Sequence, residues 1–422
     1  MTVFSIHHLP PEVLGTVFEW CSVQLFHRPD PTVAPLLLTR ISRHWRNVAL
    51  STPSLWSSLS LDLNPPNKRL PLLQTWLARS ACIPLDLDLG YYDRAADAQI
   101  DALLEILRPH AHQLRSLGIF FHSRGIIQIA RWSLPRLQCV DFGWVVGTEP
   151  TGAEVMPLFL NAPALRELHA NGDDIYPLLA APLFPWAQLT SLECTAYSVY
   201  ASLEVLRLAT SLEHCVLSGQ RHLSTTLPIA EVLLRPNLRS LDMLGSWDGV
   251  ELLSRVSLPG LQELQFTAGP DAQLTSIKCH SIRKLQLTFH GPDDAQLMQY
   301  LRSLTSLVDL QVNGLNKPLL LALFSALETD ENLLPRLQTL YVEFNQSDRG
   351  LYPSIIKMLV RGKSFRPLKA ATFEFLFAVA TPGQRGQAAI AALREEGVDV
   401  RFLAANVRGK SAWSKSIVLV ST

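Results

Sequence analysis

The chain has 422 residues, of which 48% are hydrophobic, and its 37 Lys and Arg residues balance its 37 Asp and Glu residues. This length predicts several domains or an elongated repeat array, because single hydrophobic cores stop growing at about 250–300 residues. The neutral balance argues against nucleic acids and membranes as partners, since no overall positive field would attract them.

Residues 1–60 predict a small, all-helical domain. The stretch "LPPEVLGTVFEWC" (9–21) indicates a helix that begins at prolines and carries Glu12 in its first turn. After a proline-rich connector, "LLLTRISRHWRNVAL" (36–50) predicts a second helix, with an apolar stripe of Leu38, Ile41, Trp45 and Val48. A turn and a short extended segment follow. So small a core usually exposes an apolar surface for a partner.

This stretch resembles an F-box, through an opening of the form "LPxEVL" and a later tryptophan-bearing helix. The resemblance implies docking on the Skp adaptor and, through it, on a cullin–RING ubiquitin ligase whose other subunits carry the catalysis. A longer connector at 26–35 and Ser42, where many members have cysteine, depart from the family pattern. The positions implied as adaptor contacts are Leu9, Pro10, Glu12, Val13, Leu14, Ile41, Trp45 and Val48.

The tryptophan-bearing helix has two further interpretations. Trp45 is equally explained by simple packing in the core. Arg40, Arg43 and Arg46 are either a solvated face or, beside Trp45, a patch that grips RNA. The neutral chain argues against the RNA interpretation, because nucleic-acid affinity depends mostly on positive charge.

From residue 114 onward one six-residue phrase recurs: leucine, two variable residues, leucine, one variable residue and an apolar residue. It begins at 114, 137, 165, 189, 212, 238, 261, 282, 307 and 337, with a degenerate copy at 368. This pattern resembles a leucine-rich-repeat array, in which each phrase is a short strand with inward leucines. Helices are predicted between phrases at 229–235, 295–304 and 319–327, and a helix, a stop at Gly397 and a closing strand over 388–403.

The predicted fold is therefore α/β: a small all-helical F-box followed by an irregular leucine-rich-repeat solenoid, or horseshoe. The predicted domains are residues 1–60, residues 61–403 with about eleven repeats, and a C-terminal tail at 404–422. The third and fifth positions of each phrase are expected on the concave face, where six are acidic and one is a lysine. The candidate substrate-binding residues there are Asp141, Glu167, His169, Glu193, His214, Asp242, Glu263, Asp309 and Tyr341.

Catalytic and metal motifs gain no support from the sequence. Cys139 and Asp141 form a CxD pair inside a repeat strand, and His110 with His112 and Cys279 with His280 have no further ligand nearby in the sequence. We therefore predict no catalytic residue, no metal and no cofactor. The six scattered cysteines and the absence of a secretory leader predict a protein of the cytoplasm, the nucleus or both, not a secreted one.

The leading hypothesis is a non-catalytic substrate-recognition subunit of a Skp–cullin–F-box ubiquitin ligase. Its repeats would bind an unknown protein substrate, with a preference for a basic segment because of the acidic concave positions. The alternative is a leucine-rich-repeat interaction scaffold that is not incorporated into a ligase. Binding to the Skp adaptor separates the two hypotheses.

Overall fold

The protein is a mixed α/β structure with a large parallel sheet. The computed structural model describes residues 6, 9–22, 28–64, 66–90, 97–120, 128–143, 159–171, 176–179, 183–196, 198–219, 232–245, 249–277, 279, 281–291, 294–344, 349–375 and 383–404. In this part of the chain, fourteen strands form one sheet and two short strands form another. The chain divides into two compact units, residues 1–195 with 208–212 and residues 196–207 with 213–422.

The helices of the first unit are α1 Pro11–Trp20, α2 Leu38–Ile41, α3 Arg43–Leu50, α4 Pro66–Arg79, α5 Asp97–Leu107 and α6 Tyr176–Leu179. Its strands are β1 Ser58–Asp62, β2 Leu85–Gly90, β3 Leu114–Phe120, β4 Cys139–Gly143, β5 Glu167–Asn171 and β6 Ser191–Thr195. Short 3₁₀ helices cover Pro53–Trp56, Arg108–Gln113 and Trp186–Gln188. Each strand from β1 to β6 pairs in parallel with the next.

After β6, the helices are α7 Val199–Leu208, α8 Gly249–Ser254, α9 Asp294–Ser303, α10 Lys317–Thr329, α11 Tyr352–Gly362 and α12 Gln384–Glu395. The strands are β7 His214–Gly219, β8 Leu233–Leu234, β9 Ser240–Gly245, β10 Val256–Ser257, β11 Glu263–Ala268, β12 Lys284–Phe289, β13 Asp309–Asn313, β14 Thr339–Phe344, β15 Ala370–Phe375 and β16 Asp399–Ala404. Two 3₁₀ helices cover Leu274–Ser276 and Arg349–Leu351. β8 and β10 pair with each other to form the two-stranded sheet, and the other strands continue the large sheet.

The leucine phrases explain why the strands bury one face. Side chains alternate between the two faces of a strand, so the second leucine of each phrase points inward. Leu264, Leu285 and Leu310 occupy the same register position on β11, β12 and β13, and all three are buried. Full burial of a leucine stabilises a protein by about 1.5–3 kcal/mol, so the repeated row is a major source of stability.

Helices cover this apolar face of the sheet in the second unit. Phe324 of α10 packs against Phe344 of β14 and Phe373 of β15, with ring centroids 6.5 and 6.3 Å apart. Tyr352 of α11 stacks on Phe375 of β15 at 5.7 Å. The opposite face of the strands therefore carries the polar residues.

Trp56 joins the N-terminal helices to the sheet. Its side chain is fully buried, and its indole N–H donates a hydrogen bond of 2.9 Å to the carbonyl of Ala49 in α3. Its ring lies 4.8 Å from that of Trp76 in α4 and 4.4 Å from the guanidinium of Arg79. β1 begins two residues after Trp56, so the predicted domain boundary at residue 60 falls inside a strand.

The prediction of one continuous helix over residues 36–50 is wrong. Ser42 has extended backbone, with φ −154° and ψ 166°, and separates α2 from α3. Its hydroxyl accepts a hydrogen bond of 3.1 Å from the backbone N–H of Trp45, which makes Ser42 the N-cap of α3. The break removes the single apolar stripe, because Leu38 and Val48 are buried while Ile41 is exposed.

Other predicted elements have mixed outcomes. The helices at 295–304 and 319–327 are confirmed by α9 and α10, and the closing helix, stop and strand by α12, Gly397 and β16. The predicted helix at 229–235 is wrong at Leu233–Leu234, which form β8, and 220–231 lie outside the described residues. The tail beyond residue 404 also lies outside them.

None of the helices in the described part of the chain has both the length and the apolar character of a membrane-spanning segment.

We expect Gly245→Ala to destabilise the second unit. Gly245 has φ +116° and stands in register with Gly219 on β7, so an added Cβ would clash with the Gly219 carbonyl oxygen. Strain of this kind costs roughly 1–3 kcal/mol, which denaturant unfolding of the whole chain would measure. Gly383→Ala is the control, since its Cβ would meet no atom within 4 Å. Equal stability of the two variants would contradict the prediction.

Candidate binding surfaces

Helix α1 exposes an apolar stripe. Val13 is 46% exposed, Trp20 is 73% exposed, and Val17 between them is half-buried. These three residues follow the spacing i, i+4, i+7, which places them on one side of the helix. The other side buries Leu14 and Phe18 completely. The helix therefore packs through one face and leaves a second apolar face exposed.

Leu14 and Val48, expected from the sequence as adaptor contacts, lie in the interior. Leu14 is fully buried on the packed side of α1, and Val48 is buried in α3. Neither side chain can meet a partner while this packing holds. Their apolar character belongs to the core, and the F-box pattern alone does not distinguish core positions from surface positions.

The other expected adaptor contacts are at least partly accessible. Pro10 and Glu12 are exposed at the start of α1, and Leu9 is half-buried. Ile41 is 50% exposed at the end of α2. Trp45 is half-buried and packs on Phe18, with ring centroids 4.9 Å apart, so its interpretation as a packing residue gains support.

Two of the three arginines near Trp45 have structural partners. The Nε–H of Arg46 donates to the carbonyl of Thr39 over 2.7 Å, which ties α3 to α2 across the break at Ser42. Arg40 donates a longer hydrogen bond of 3.5 Å to the carbonyl of Pro31. These contacts account for both residues without an RNA ligand.

The open sheet face is the side of the large sheet opposite the buried leucine row. In the first unit it carries Asp141, His169 and Glu193 in one register row across β4, β5 and β6. The same row extends to Asp88 on β2 through Gly118 of β3. The face is therefore acidic in this unit, and all four predicted residues of β4–β6 lie on it, since Glu167 occupies the neighbouring row.

Two aspartates on this face, both on β2, were missed because β2 lacks the leucine phrase. Asp86 forms a two-point ion pair with Arg115, with 2.9 Å between Nε and Oδ1. Asp88 accepts a hydrogen bond of 2.8 Å from the hydroxyl of Ser60. The alternation in "LDLDLG" could have revealed β2 without the phrase.

Cys139, Glu167 and His169 come together on β4 and β5. One candidate ligand atom from each of these three residues lies within 4.8 Å of the other two. Burial raises the pKa of the Cys139 thiol to about 11, with a further increase from Glu167 and Asp141, while a hydrogen bond with Ser116 opposes the change. The thiol is therefore mostly protonated at neutral pH, which further argues against a nucleophilic role for this CxD pair.

In the second unit, one register row holds His214, Ser240, Glu263, Lys284 and Asp309 on successive strands of the sheet. Lys284 and Glu263 form an exposed ion pair at 3.5 Å. Burial and the nearby Lys284 act in opposite directions on Asp309, and the net effect raises its pKa. More than half of each side chain of this ion pair is exposed, so both charges are accessible to a ligand.

Asp242 lies in the next row of the same face, on β9. Burial raises its pKa, and the Glu263 carboxylate adds to the increase, whereas Lys284 and His214 oppose it. Its ionised form is therefore disfavoured in the folded chain. A cationic ligand placed beside Asp242 would relieve this cost.

A further acidic group lies on β14 and β15. Glu343 and Glu374 are register partners, and the hydroxyl of Tyr341 donates a hydrogen bond to Glu374. Burial and the proximity of Glu374 raise the pKa of Glu343. Tyr341 was expected on this face, whereas the two glutamates were missed because they lie beyond the fifth position of the phrase.

Comparisons with known proteins do not indicate a function for this chain. No protein-family model matches the chain, and no curated protein matches it significantly. A solved structure of a protein from Bacteroides fragilis is similar over 77% of this chain and 76% of its own, with 15% identity and a TM-score of 0.29. A similarity this weak carries no argument about what the present chain does.

Proposed function

We propose that this protein is a substrate-recognition subunit of a Skp–cullin–F-box ubiquitin ligase. In this proposal residues 1–60 are an F-box that docks on the Skp adaptor, and the strands that follow are an irregular leucine-rich-repeat horseshoe that binds a protein substrate. The observation that carries it is the exposed apolar stripe of Val13, Val17 and Trp20, on the helix that resembles the opening of an F-box.

The stripe suits a docking role for a physical reason. Exposed apolar side chains at helical spacing are a common mode of protein recognition, and burial of tryptophan often dominates such interfaces. Leu14 and Phe18 already fill the packed side of α1, and Val13 and Trp20 are left largely exposed. The sequence-based adaptor set is revised accordingly. Leu14 and Val48 support the helices, as does Trp45 through its packing on Phe18. The remaining proposed contacts are Leu9, Pro10, Glu12, Val13 and Ile41, and Trp20 joins them.

The large parallel sheet supports the second half of the proposal. Leucines recur on its buried face, and polar residues occupy the open sheet face at the predicted substrate-binding positions. A receptor of this kind needs no catalytic residues. It raises the local concentration of substrate lysines near a ubiquitin-conjugating enzyme held by other subunits.

Adaptor binding tests the proposal. The full chain should co-purify with the Skp adaptor, and Val13→Glu should weaken that binding by about 30-fold or more, because a charge would enter an apolar interface at a cost of about 2 kcal/mol. Trp20→Ala should weaken it by a similar factor. Affinities measured by calorimetry on the purified proteins give the comparison.

Val360→Glu is the matched control. Val360 also lies on a helix, α11, and is 48% exposed, which is close to the value for Val13. It should bind the adaptor as well as the wild-type chain does. Failure of the folded wild-type chain to bind would refute the ligase proposal and leave the scaffold alternative, and an equal effect of Val13→Glu and Val360→Glu would remove α1 as the docking helix.

We further propose that the substrate presents a basic segment to the open sheet face. The supporting observations are the acidic rows around Asp242, Glu263 and Asp309. Burial raises the pKa of Asp242 and of Asp309 and so disfavours their ionised forms. A cationic segment would compensate these charges and would be steered toward them.

Charge reversal tests this preference. Glu263→Lys combined with Asp309→Lys should reduce binding of a lysine-rich peptide by about tenfold or more at low salt, and the difference should shrink as salt rises. The control, Asp271→Lys with Glu331→Lys, makes the same change in net charge at exposed loop positions. Equal losses in both double variants would show that only net charge matters.

A further inference from the structure

Cys139, Glu167 and His169 form a group with the composition of a transition-metal site. Within the described part of the chain, they are the one group of three side chains of this type whose ligand atoms all lie within 4.8 Å of one another. Cys139 and His169 are half-buried and Glu167 is exposed, so solvent reaches the group from the open sheet face. The group lies apart from α1 in the chain and takes no part in the proposed docking.

The strand register is what assembles these residues. β4 and β5 pair in parallel, with Cys139 opposite Glu167 and Asp141 opposite His169. Because side chains alternate along a strand, residues two apart point to the same face, and all four side chains lie on one patch. The ligands come from strands 28 residues apart in the chain, which is why local spacing in the sequence gave no metal motif.

We propose that Cys139, Glu167 and His169 bind a zinc ion. Zinc accepts sulfur, imidazole nitrogen and carboxylate oxygen together, at about 2.0–2.3 Å, which places ligand atoms of one tetrahedron about 3.3–3.8 Å apart. The three ligand atoms now lie within 4.8 Å of one another. Side-chain rotations that move each atom by on the order of 1 Å would bring them into that geometry. The backbone of the two strands need not move.

The ligand chemistry selects against the common hard cations. Calcium and magnesium prefer six or more oxygen ligands, whereas this group offers one sulfur, one nitrogen and one carboxylate. Zinc binding forms a bond to the Cys139 sulfur, and the thiol proton passes to the solvent. The neighbouring carboxylate of Asp141 adds negative charge near Cys139, which favours a divalent cation, whereas the charge of Asp86 is compensated by Arg115.

Three protein ligands leave the fourth position of a zinc tetrahedron open toward the sheet face. Water fills such a position in the absence of other ligands, and an incoming carboxylate, imidazole or thiol can replace it. Asp141 is in register with His169 and lies on the same patch, so its carboxylate places negative charge at the edge of the site. The zinc site does not depend on adaptor docking, since it involves neither α1 nor the adaptor, but Glu167 and His169 are also predicted substrate-binding positions.

Metal titration of the purified full chain tests the site. After removal of metals with a chelator, the wild-type chain should bind one Zn²⁺ in competition with a chromogenic chelator. Cys139→Ser and His169→Gln should each weaken binding by at least about tenfold. The controls are Cys82→Ser and His112→Gln, an exposed cysteine and an exposed histidine outside the group, and both should bind zinc like the wild-type chain.

Cobalt supplies a second readout that does not depend on affinity. Co²⁺ bound at this site should show a charge-transfer absorption from the thiolate, which Cys139→Ser abolishes and Cys82→Ser retains. Circular dichroism establishes that each variant is folded. Failure of the wild-type chain to bind zinc at micromolar concentration, or unchanged binding in folded Cys139→Ser and His169→Gln chains, would overturn the assignment.

Discussion

The structure depends on the burial of one apolar row of side chains across parallel strands. In the second unit, Cys215, Leu241, Leu264, Leu285 and Leu310 are register neighbours on successive strands, and all are buried. A shift of one residue in any strand would expose its leucines and bury its polar neighbours, so the register is strongly fixed. The same constraint sends acidic residues to the open sheet face, which makes stability and surface chemistry two consequences of one pattern.

The N-terminal helices also have one face that packs and another that is exposed. Phe18 packs on Trp45, and Trp56 bonds to α3 and packs on Trp76 of α4, so aromatic side chains hold the helices to the first strands. The core is small, and α1 can bury only one of its faces in it. The remaining apolar face is the one that carries Val13 and Trp20.

The sequence predicts the strands well because the leucine phrase repeats the register constraint directly. It misses β2, whose alternating leucines lack the phrase, and it gives β1 only as a short extended segment. It also overlooks the break at Ser42, where a side-chain cap outweighs the apolar period. It assigns Leu14 to a surface, because a family pattern does not separate residues that support a helix from residues that meet a partner. The group of Cys139, Glu167 and His169 depends on pairing between strands, which no local spacing reveals.

Hydrogen exchange of the full chain, with and without the Skp adaptor, tests the central claim most directly. The account predicts that the adaptor slows exchange of backbone amides in α1, Pro11–Trp20, and leaves the strands of the sheet unchanged. An adaptor complex in which protection appears on the strands, while α1 exchanges as it does in the free chain, would contradict the account. So would a folded chain whose exchange the adaptor leaves unchanged throughout.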